Sequence, residues 1–282
     1  MYKKLLLTLC LLCSTEAMAT KYALIVGVAD YKNSKDDLPG IDKDLTKIYK
    51  LLKSWHFDVK VLRGADTLKL DEHLKKYAYS LKKDDTFAFY YTGHGSYVED
   101  KNNDEADGRD ETLVLSDGKE DKHYLDDDLN YRLNAIKAKK LIVFDSCHSG
   151  TAHKAGTEGF VSKSMFSDLV PTLFKREKKR DEPVYPNNLT GSFVKLSASK
   201  DSETSVATKE GSLFTTQLIK LLKKKKFQKK SLKNIRQNVS YEIGAICNKK
   251  KLTKFSPVFD ASSEDLLSGS ILDFLAVGGL VK

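Results

Sequence analysis

Two apolar stretches, each followed by a short glycine-containing loop, decide the fold: TFAFYYTGHG at residues 86–95 and LIVFDSCHSG at residues 141–150. Each apolar run is short enough for a buried strand, and polar and glycine residues end it. The first loop carries His94 and the second carries Cys147. The pattern predicts two central strands whose ends present an imidazole and a thiol.

Strand and helix patterns alternate on both sides of these stretches. Further strands are predicted at 22–28, 58–62, 192–196 and 257–259, and helices at 42–55, 68–81, 125–136, 213–222 and 232–246. Such alternation is typical of a mainly parallel sheet with helices on both faces. We therefore predict one α/β domain over residues 20–282, built as three layers from the segments 20–159 and 192–282.

The connection between those segments, residues 160–191, shows no sustained apolar period. It contains the charge run KREKKR at 175–180, followed by Pro183 and Pro186. Such composition is typical of an exposed loop. We predict an exposed basic linker, which is the kind of segment that proteases cut.

The first nineteen residues have the pattern of a secretory signal peptide. Lys3 and Lys4 precede the apolar run Leu5–Cys13, which is too short to cross about 30 Å of hydrocarbon as a helix. Ala17 and Ala19 are the small residues that signal peptidase prefers. We predict cleavage of residues 1–19 and export to the periplasm or medium without a membrane span; an uncleaved anchor is the alternative.

Composition narrows the function classes. The chain has 282 residues, of which 40% are hydrophobic and 31% charged, with a net charge of +9. These values exclude a polytopic membrane protein and a fully disordered chain. The lysine clusters are interpreted as solvated helix ends, and no nucleic-acid partner is predicted because no binding motif accompanies them. After signal cleavage Cys147 and Cys247 remain, and they either form a disulfide or leave one reactive thiol.

A thiol and an imidazole at neighbouring strand ends are the groups that a cysteine hydrolase needs. The Cys147 thiolate would attack a carbonyl while His94 handles the proton of the leaving amine. The backbone N–H groups of Gly95 and Cys147 are candidates for binding the oxyanion. His148 is a rival base, disfavoured because adjacent side chains diverge. Cys247 lies in a predicted helix and is expected to be packed.

The two motifs resemble those of metacaspases and bacterial caspase-like peptidases. The resemblance covers Lys21 to about Phe227 and rests on YYTGHG at 90–95 and DSCHSG at 145–150, supported by DGRDET at 107–112 and SASKD at 197–201. It implies a caspase-like fold, a catalytic His94/Cys147 dyad and endopeptidase activity. The segments 20–159 and 192–282 would then correspond to the large and small caspase subunits.

The residues around the thiol also suggest a substrate class. Asp145 stands two residues before Cys147, where caspases that cut after aspartate carry glutamine. A carboxylate there would repel an acidic P1 side chain and pair with Arg or Lys. By resemblance, Asp44 and Asp145 line the S1 pocket. The ordinary alternatives are that Asp44 is an acidic residue in the first turn of a helix and that Asp145 caps N–H groups at the end of a strand.

This specificity predicts protein or peptide substrates with Arg or Lys at P1. It also predicts self-cleavage within residues 175–181, for which Arg176, Lys179 and Arg180 are candidate P1 residues.

The stretch Glu99–Asp128 is strongly acidic, with thirteen Asp and Glu against four Lys and Arg. By resemblance, Asp110, Asp126 and Asp127 match three calcium ligands of calcium-activated metacaspases, whereas the fourth ligand position holds Lys154. Calcium modulation is therefore one interpretation and a solvated acidic loop is the other. The dyad itself requires no cofactor.

Two other functions remain open at this point. One is a catalytically silent caspase-fold module that binds partners, against which the intact His94 and Cys147 argue. The other is a small-molecule cysteine hydrolase, against which the acidic S1 candidates argue. The sequence makes no prediction of oligomeric state.

Overall fold

The computed structural model of the chain describes residues 19–99, 108–147, 159–165 and 188–276. The strands within these ranges are β1 (Lys21–Gly27), β2 (Asp58–Arg63), β3 (Thr86–Thr92), β4 (Gly95–Glu99), β5 (Arg109–Ser116), β6 (Asp121–Leu125), β7 (Lys139–Asp145), β8 (Phe160–Ser162), β9 (Phe193–Ser197), β10 (Val206–Thr208) and β11 (Val258–Ala261). The helices are α1 (Ile41–Ser54), α2 (Thr67–Ser80), α3 (Asp126–Ala135), α4 (Leu213–Leu222), α5 (Lys225–Gln228), α6 (Leu232–Lys250), α7 (Glu264–Ser268) and α8 (Ile271–Leu275).

The central sheet has six strands in the order β11-β9-β7-β3-β1-β2. The neighbours from β2 to β9 pair in parallel, and β11 pairs antiparallel with β9 at one edge. The predicted mainly parallel sheet is confirmed. The short run expected at 257–259 is indeed an edge strand.

Helices cover both faces of this sheet, which completes the three predicted layers. On one face, apolar residues of α1, α4 and α6 join a core cluster with alternate residues of the strands, such as Ala88 and Tyr90 of β3. On the other face, α2 and α3 pack against the intervening residues, such as Phe87 and Phe89. Successive strand residues point to opposite faces, so a strand buried on both faces is apolar throughout.

Gly40 allows the start of α1 to lie close to the end of β10. It precedes the helix with a φ of 76°, a left-handed conformation that favours glycine. A Cβ at this position would lie 2.1 Å from the backbone oxygen of Thr208. The close approach brings the first turn of α1, including Asp44, next to the loop that follows β10.

The acidic stretch is more ordered than a solvated loop. β4, β5 and β6 form a separate three-stranded antiparallel sheet, and Leu113, Val114 and Leu115 of β5 are buried in the core. The loop alternative is therefore wrong for residues 109–125. Acidic residues of this stretch flank a strand whose apolar residues hold it in place.

The predicted exposed linker is also wrong for its first six residues. β8 pairs antiparallel with β10, and Lys163, Ser164 and Met165 are buried. The basic run at 175–180 and its candidate cleavage residues Arg176, Lys179 and Arg180 lie outside the described residues. So do residues 1–18 of the predicted signal peptide. No helix of the described part is both long and apolar enough to cross a membrane.

Candidate active site

His94 and Cys147 come from adjacent strands, as the sequence pattern requires. β3 pairs in parallel with β7, and Thr92 stands opposite Asp145. Each functional residue lies two positions beyond that matched pair. The loops touch: a Cβ on Gly95 would lie 2.1 Å from the backbone oxygen of Cys147. Glycine at 95 is therefore needed for the close approach of the two loops.

The backbone and ring of His94 are held from both sides. Its backbone N–H donates to the hydroxyl of Tyr31 at 2.7 Å, and the two rings contact each other at a tilt of 55°, with centroids 4.6 Å apart. Its Nε2 lies 2.7 Å from the backbone oxygen of Asp36. Nδ1 is buried and makes no hydrogen bond within the described part of the chain. Since a carbonyl oxygen only accepts, the contact with Asp36 places the proton on Nε2 and leaves a lone pair on Nδ1.

Burial lowers the pKa of His94 to about 4, and the nearby backbone carbonyls of Asp36 and Lys163 offset only part of this effect. The charged imidazolium is disfavoured because the side chain is removed from water. The imidazole is therefore neutral at physiological pH in this arrangement.

Cys147 is fully buried, and its sulfur is held by Ser205. The backbone N–H of Ser205 lies 2.6 Å from Sγ, and the Ser205 hydroxyl lies 3.1 Å from it. Burial raises the pKa of the Cys147 thiol to about 11, which outweighs the stabilising contacts from Ser205 and the charge of Lys163. The thiol is therefore protonated in this arrangement. Cys147 and Cys247 are both free, so they do not form a disulfide, and Cys247 is packed in α6 as expected.

The two predicted S1 carboxylates share one buried pocket. Asp44 accepts from the backbone N–H of Ser212 at 2.8 Å and from its hydroxyl at 2.6 Å. Asp145 accepts from the Thr215 hydroxyl at 2.5 Å. Burial and the neighbouring Asp145 raise the pKa of Asp44 to about 6, against the opposing effects of Lys163 and Ser212.

The pocket contains a lysine that sequence reasoning missed. Lys163 Nζ lies 2.9 Å from Asp145 Oδ1, and neither side chain has exposed surface. The ammonium also donates to the hydroxyls of Thr92 at 2.7 Å and Ser212 at 2.9 Å. Ser212 therefore connects Lys163 to Asp44.

The main chain of Lys163 lies between Gly95, in the loop that carries His94, and Ser205, which contacts the Cys147 sulfur. The backbone N–H of Gly95 donates to the Lys163 carbonyl oxygen at 3.0 Å, and the Lys163 N–H donates to the Ser205 carbonyl at 3.1 Å. Gly95 was predicted to donate to a substrate carbonyl, and here it donates to a lysyl carbonyl of the same chain. Tyr31 and Ser205, which hold His94 and Cys147, carried no sequence signal because they are single polar residues far away in the chain.

Comparison with known proteins agrees with the fold described above. The family model for the caspase domain of peptidase family C14 matches residues 20–264. The chain belongs to the peptidase C14 caspase-domain family. Metacaspase-2 of Arabidopsis thaliana is 33% identical over 146 residues, which is 46% of this chain and 35% of that protein. Metacaspase-1A of Aspergillus oryzae is 26% identical over 242 residues, covering 66% and 55% of the two chains.

Solved structures carry the same fold. This caspase domain is similar to a Geobacter sulfurreducens protein with a TM-score of 0.70 and 23% identity, covering 89% of this chain and 98% of that one. Caspase-1 of Spodoptera frugiperda aligns with a TM-score of 0.57 and 15% identity, covering 86% and 88%. The caspase-like fold predicted from the sequence is confirmed.

The predicted calcium ligands of this caspase domain do not form a metal site in the described residues, where no group of three or more His, Cys, Asp or Glu has suitable geometry. Asp110, Asp126 and Asp127 are nevertheless close enough to interact. Burial, Glu111, Asp127 and Asp110 together raise the pKa of Asp126 to about 8. Lys154, at the fourth position, lies outside the described residues. Calcium binding by these residues stays a prediction.

Proposed function

We propose that this caspase domain is a cysteine endopeptidase that cleaves after lysine or arginine with His94 and Cys147. One observation carries the proposal: the Lys163 side chain lies in the acidic pocket while its carbonyl accepts from the Gly95 N–H. A lysine therefore fits the pocket when its carbonyl lies at the dyad. Membership of peptidase family C14 supports the reaction class.

The arrangement supports a mechanism that starts from a neutral dyad. The Nε2–H of His94 is held by the Asp36 carbonyl, so Nδ1 has the lone pair that can take the thiol proton. The Cys147 thiolate then attacks the P1 carbonyl carbon, and His94 passes the proton to the leaving amine. Water hydrolyses the thioester and restores the thiol.

The Gly95 N–H would stabilise the charge that develops on the carbonyl oxygen. It already lies 3.0 Å from the Lys163 carbonyl, within the range of an oxyanion donor. The Cys147 N–H is the second candidate donor from the sequence. Donors placed in advance and away from water need little rearrangement during the reaction.

Asp145 and Asp44 would select the P1 side chain. An ammonium or guanidinium entering this buried pocket gains charge-assisted hydrogen bonds, whereas an aspartate would meet two carboxyl groups. Thr92 and Ser212 supply the neutral acceptors that complete the coordination of an ammonium.

A second function, the catalytically silent module, is favoured by the burial of Cys147, which has no exposed surface. This function requires Cys147 to stay buried. A thiol-directed lysyl chloromethyl ketone separates the two functions, because only a peptidase whose site opens will be labelled at Cys147.

Export and calcium modulation are further parts of the proposal. Export is supported by the signal-like pattern of residues 1–19. N-terminal sequencing of the protein recovered from the periplasm or the medium tests it, and the first residue should be Thr20. Calcium modulation is supported only by the matching positions Asp110, Asp126 and Asp127, and no catalytic step above depends on it.

The experiment that tests the proposed function uses a peptide library varied at P1. The purified protein should cleave peptides with Lys or Arg at P1 and leave those with Asp, Leu or Gln intact. The Cys147→Ala variant should be inactive, whereas Cys247→Ala should retain the activity. Cleavage with no basic preference, or unchanged activity in Cys147→Ala, would contradict the proposal.

A further inference from the structure

The connection between α4 and α6 is strongly basic. From Lys220 to Lys233 the chain has eight lysines and no acidic residue. Lys220 lies 3.7 Å from Glu242, and Lys233 pairs with Glu264. The other six lysines are exposed and form no ion pair within the part of the chain that the structure describes. We call this set the lysine turn; it consists of Lys223, Lys224, Lys225, Lys226, Lys229 and Lys230. Because like charges at this spacing repel one another, contact with a negatively charged partner lowers their free energy.

The lysine turn is fixed to the domain. Phe227 is half-buried and packs against the core cluster of α1, α4 and α6, and its N–H donates to the Lys224 carbonyl at 2.8 Å. The side chain of Gln228 donates to the Leu222 carbonyl at 2.7 Å. The ammonium groups of Lys224 and Lys226 lie 5.9 and 5.3 Å from the centre of the Phe227 ring. The positive charges are therefore presented from an ordered turn.

α4 carries the lysine turn to the end of the domain opposite the candidate active site. The helix begins beside that site, where the Thr215 hydroxyl donates to Asp145. Its ten residues span about 15 Å. Its last residue, Leu222, lines the same small apolar cavity as Trp55. The Trp55 carbonyl accepts from the side chain of Lys21 at the start of β1. The lysine turn thus lies where the parallel strands start, and His94 and Cys147 lie where they finish.

Other exposed lysines lie at the same end because of the topology. The chain that leads into each parallel strand lies where that strand starts. Lys53 precedes β2, Lys82 and Lys83 precede β3, and Lys137 precedes β7. These lysines follow α1 on one face of the sheet and α2 and α3 on the other. We call this face, together with the lysine turn, the basic end. It extends across the full thickness of the domain.

An exposed aromatic side chain accompanies these charges. Tyr79 lies in the last turn of α2, shortly before Lys82, and it is 92% exposed. Tyrosine is enriched at the surface of bilayers, where its ring contacts apolar chains and its hydroxyl stays in water. A soluble polyanion has no apolar layer for such a ring.

The opposite end of the domain carries the opposite charge. The acidic stretch Glu99–Asp128 follows β4, which starts at Gly95 beside the Cys147 loop. Asp44 and Asp145 line the buried pocket at the same end. Charge is therefore separated along the direction of the strands. At a negatively charged surface, attraction of one end and repulsion of the other favour the same orientation.

We propose that the basic end docks this domain on a lipid bilayer whose surface carries anionic headgroups, with His94 and Cys147 facing away from the bilayer. Each lysine close to such a surface strengthens binding roughly fivefold. A charged face that crosses both helical layers fits a plane of headgroups, whereas a single polymer strand fits a stripe or groove. The inference does not depend on the proposed peptidase function, because no residue of the basic end belongs to the candidate active site.

Co-sedimentation of the purified protein with vesicles tests the proposal. The protein should bind vesicles of phosphatidylcholine mixed with phosphatidylglycerol and should not bind vesicles of phosphatidylcholine alone. Added salt should release it, since exposed charges are screened. Acetylation of lysines, followed by mass spectrometry, should show the lysine turn protected by the anionic vesicles and Lys32 and Lys119 unprotected.

Two variants with the same net charge separate the basic end from charge in general. Replacing Lys223, Lys224, Lys225 and Lys226 by Gln should weaken binding to the anionic vesicles by at least about 100-fold. The control replaces four exposed lysines beyond the other ends of the strands by Gln, namely Lys32, Lys69, Lys119 and Lys200. It should bind much more tightly than the first variant. All eight side chains are exposed, so both variants should fold, as their circular dichroism would show.

Three results would overturn the proposal. Without binding to anionic vesicles, the lysines would be solvated helix ends only. Equal loss of binding in the two variants, or equal protection of all exposed lysines, would show that net charge acts without a docking face. Tighter binding to soluble polyphosphate than to vesicles, at the same phosphate concentration, would replace the bilayer by a polymer as the partner.

Discussion

The Lys163 ammonium lies 2.9 Å from the Asp145 carboxylate, and both side chains are completely buried. Asp44 is also buried, and Ser212 connects it to the same lysine. A buried charge is tolerated when it is paired and hydrogen-bonded, and it becomes costly when its partner is removed. This pocket is therefore a place where one residue affects both stability and activity.

Lys163→Met should destabilise the uncut fold by about 3–5 kcal/mol at pH 8, because two buried carboxyl groups lose their cation. The Asp44 pKa is already raised to about 6, and loss of Lys163 raises it further. A raised carboxyl pKa means that the folded state binds more protons than the unfolded state, so stability falls as the pH rises through this window. The loss should therefore be smaller at pH 5, as urea unfolding at both pH values would show.

Lys163→Arg is the matched control for that measurement because it keeps the positive charge. To separate stability from self-cleavage, both substitutions are made in the Cys147→Ala background. Equal stability of the Met and Arg variants at pH 8 would show that the pocket does not depend on the buried charge.

His94→Ala should lower peptidase activity by roughly 10²–10⁴-fold, the usual contribution of general acid–base catalysis. The free Nδ1 of His94 is the group that accepts the thiol proton in this account. Initial rates on a lysyl peptide measure the effect, with His73→Ala, on α2 away from the site, as the control. If both histidine variants kept full activity, His94 would not be the base.

Cys147 should react slowly with iodoacetamide in the uncut chain. The pKa of its thiol is raised to about 11, and only the thiolate reacts. The labelling rate should therefore keep rising with pH until about pH 11, whereas the rate of an ordinary exposed thiol stops rising at a lower pH. Mass spectrometry of labelled peptides from the intact wild-type chain at several pH values gives the rates. Fast labelling of the uncut chain at pH 7 would contradict a buried, protonated thiol.

Asp126→Asn should stabilise the protein above pH 8. The Asp126 pKa is raised to about 8 by burial and by Glu111, Asp127 and Asp110, so wild-type stability falls as the pH rises toward that value. Removing the charge should increase Tm at pH 9 by at least about 2 °C, with little change at pH 5. Asp84→Asn, at an exposed carboxylate, is the control.

Calcium can be tested in the same thermal experiment. If Asp126 binds calcium, the ion should raise Tm in wild type and not in Asp126→Asn. An identical response of the two proteins would exclude Asp126 as a ligand.

The central strands and the placement of His94 and Cys147 just beyond the ends of adjacent strands could be predicted because β3 and β7 are apolar on both faces and end in distinctive loops. Their side chains carry the periodic signal that burial leaves in a sequence. The small antiparallel sheet was missed because the buried residues of β5, Leu113–Leu115, are outnumbered by the charges around them. The composition of the whole stretch is acidic, and this average hides the three apolar residues that are buried on folding.

Lys163 could not be found from the sequence for a different reason. An isolated lysine in a basic, non-periodic segment is ordinarily exposed. Its burial depends on Asp145, Thr92 and Ser212, which belong to three other parts of the chain and come together only in the folded protein. A local sequence pattern can place His94 and Cys147 at two strand ends, but it cannot show that Lys163 is buried in the acidic pocket.

The most direct test of lysine and arginine selection is the ratio of kcat/KM for two peptides, Phe-Val-Ser-Lys and Phe-Val-Ser-Gln, each with the same reporter after P1. Wild type should strongly prefer lysine. Asp145→Asn should reduce that preference roughly 10–100-fold, since a charge-assisted hydrogen bond contributes about 1.5–3 kcal/mol, whereas Asp44→Glu, which keeps the charge, should reduce it far less. An unchanged ratio in Asp145→Asn, or efficient wild-type cleavage after aspartate, would contradict the account.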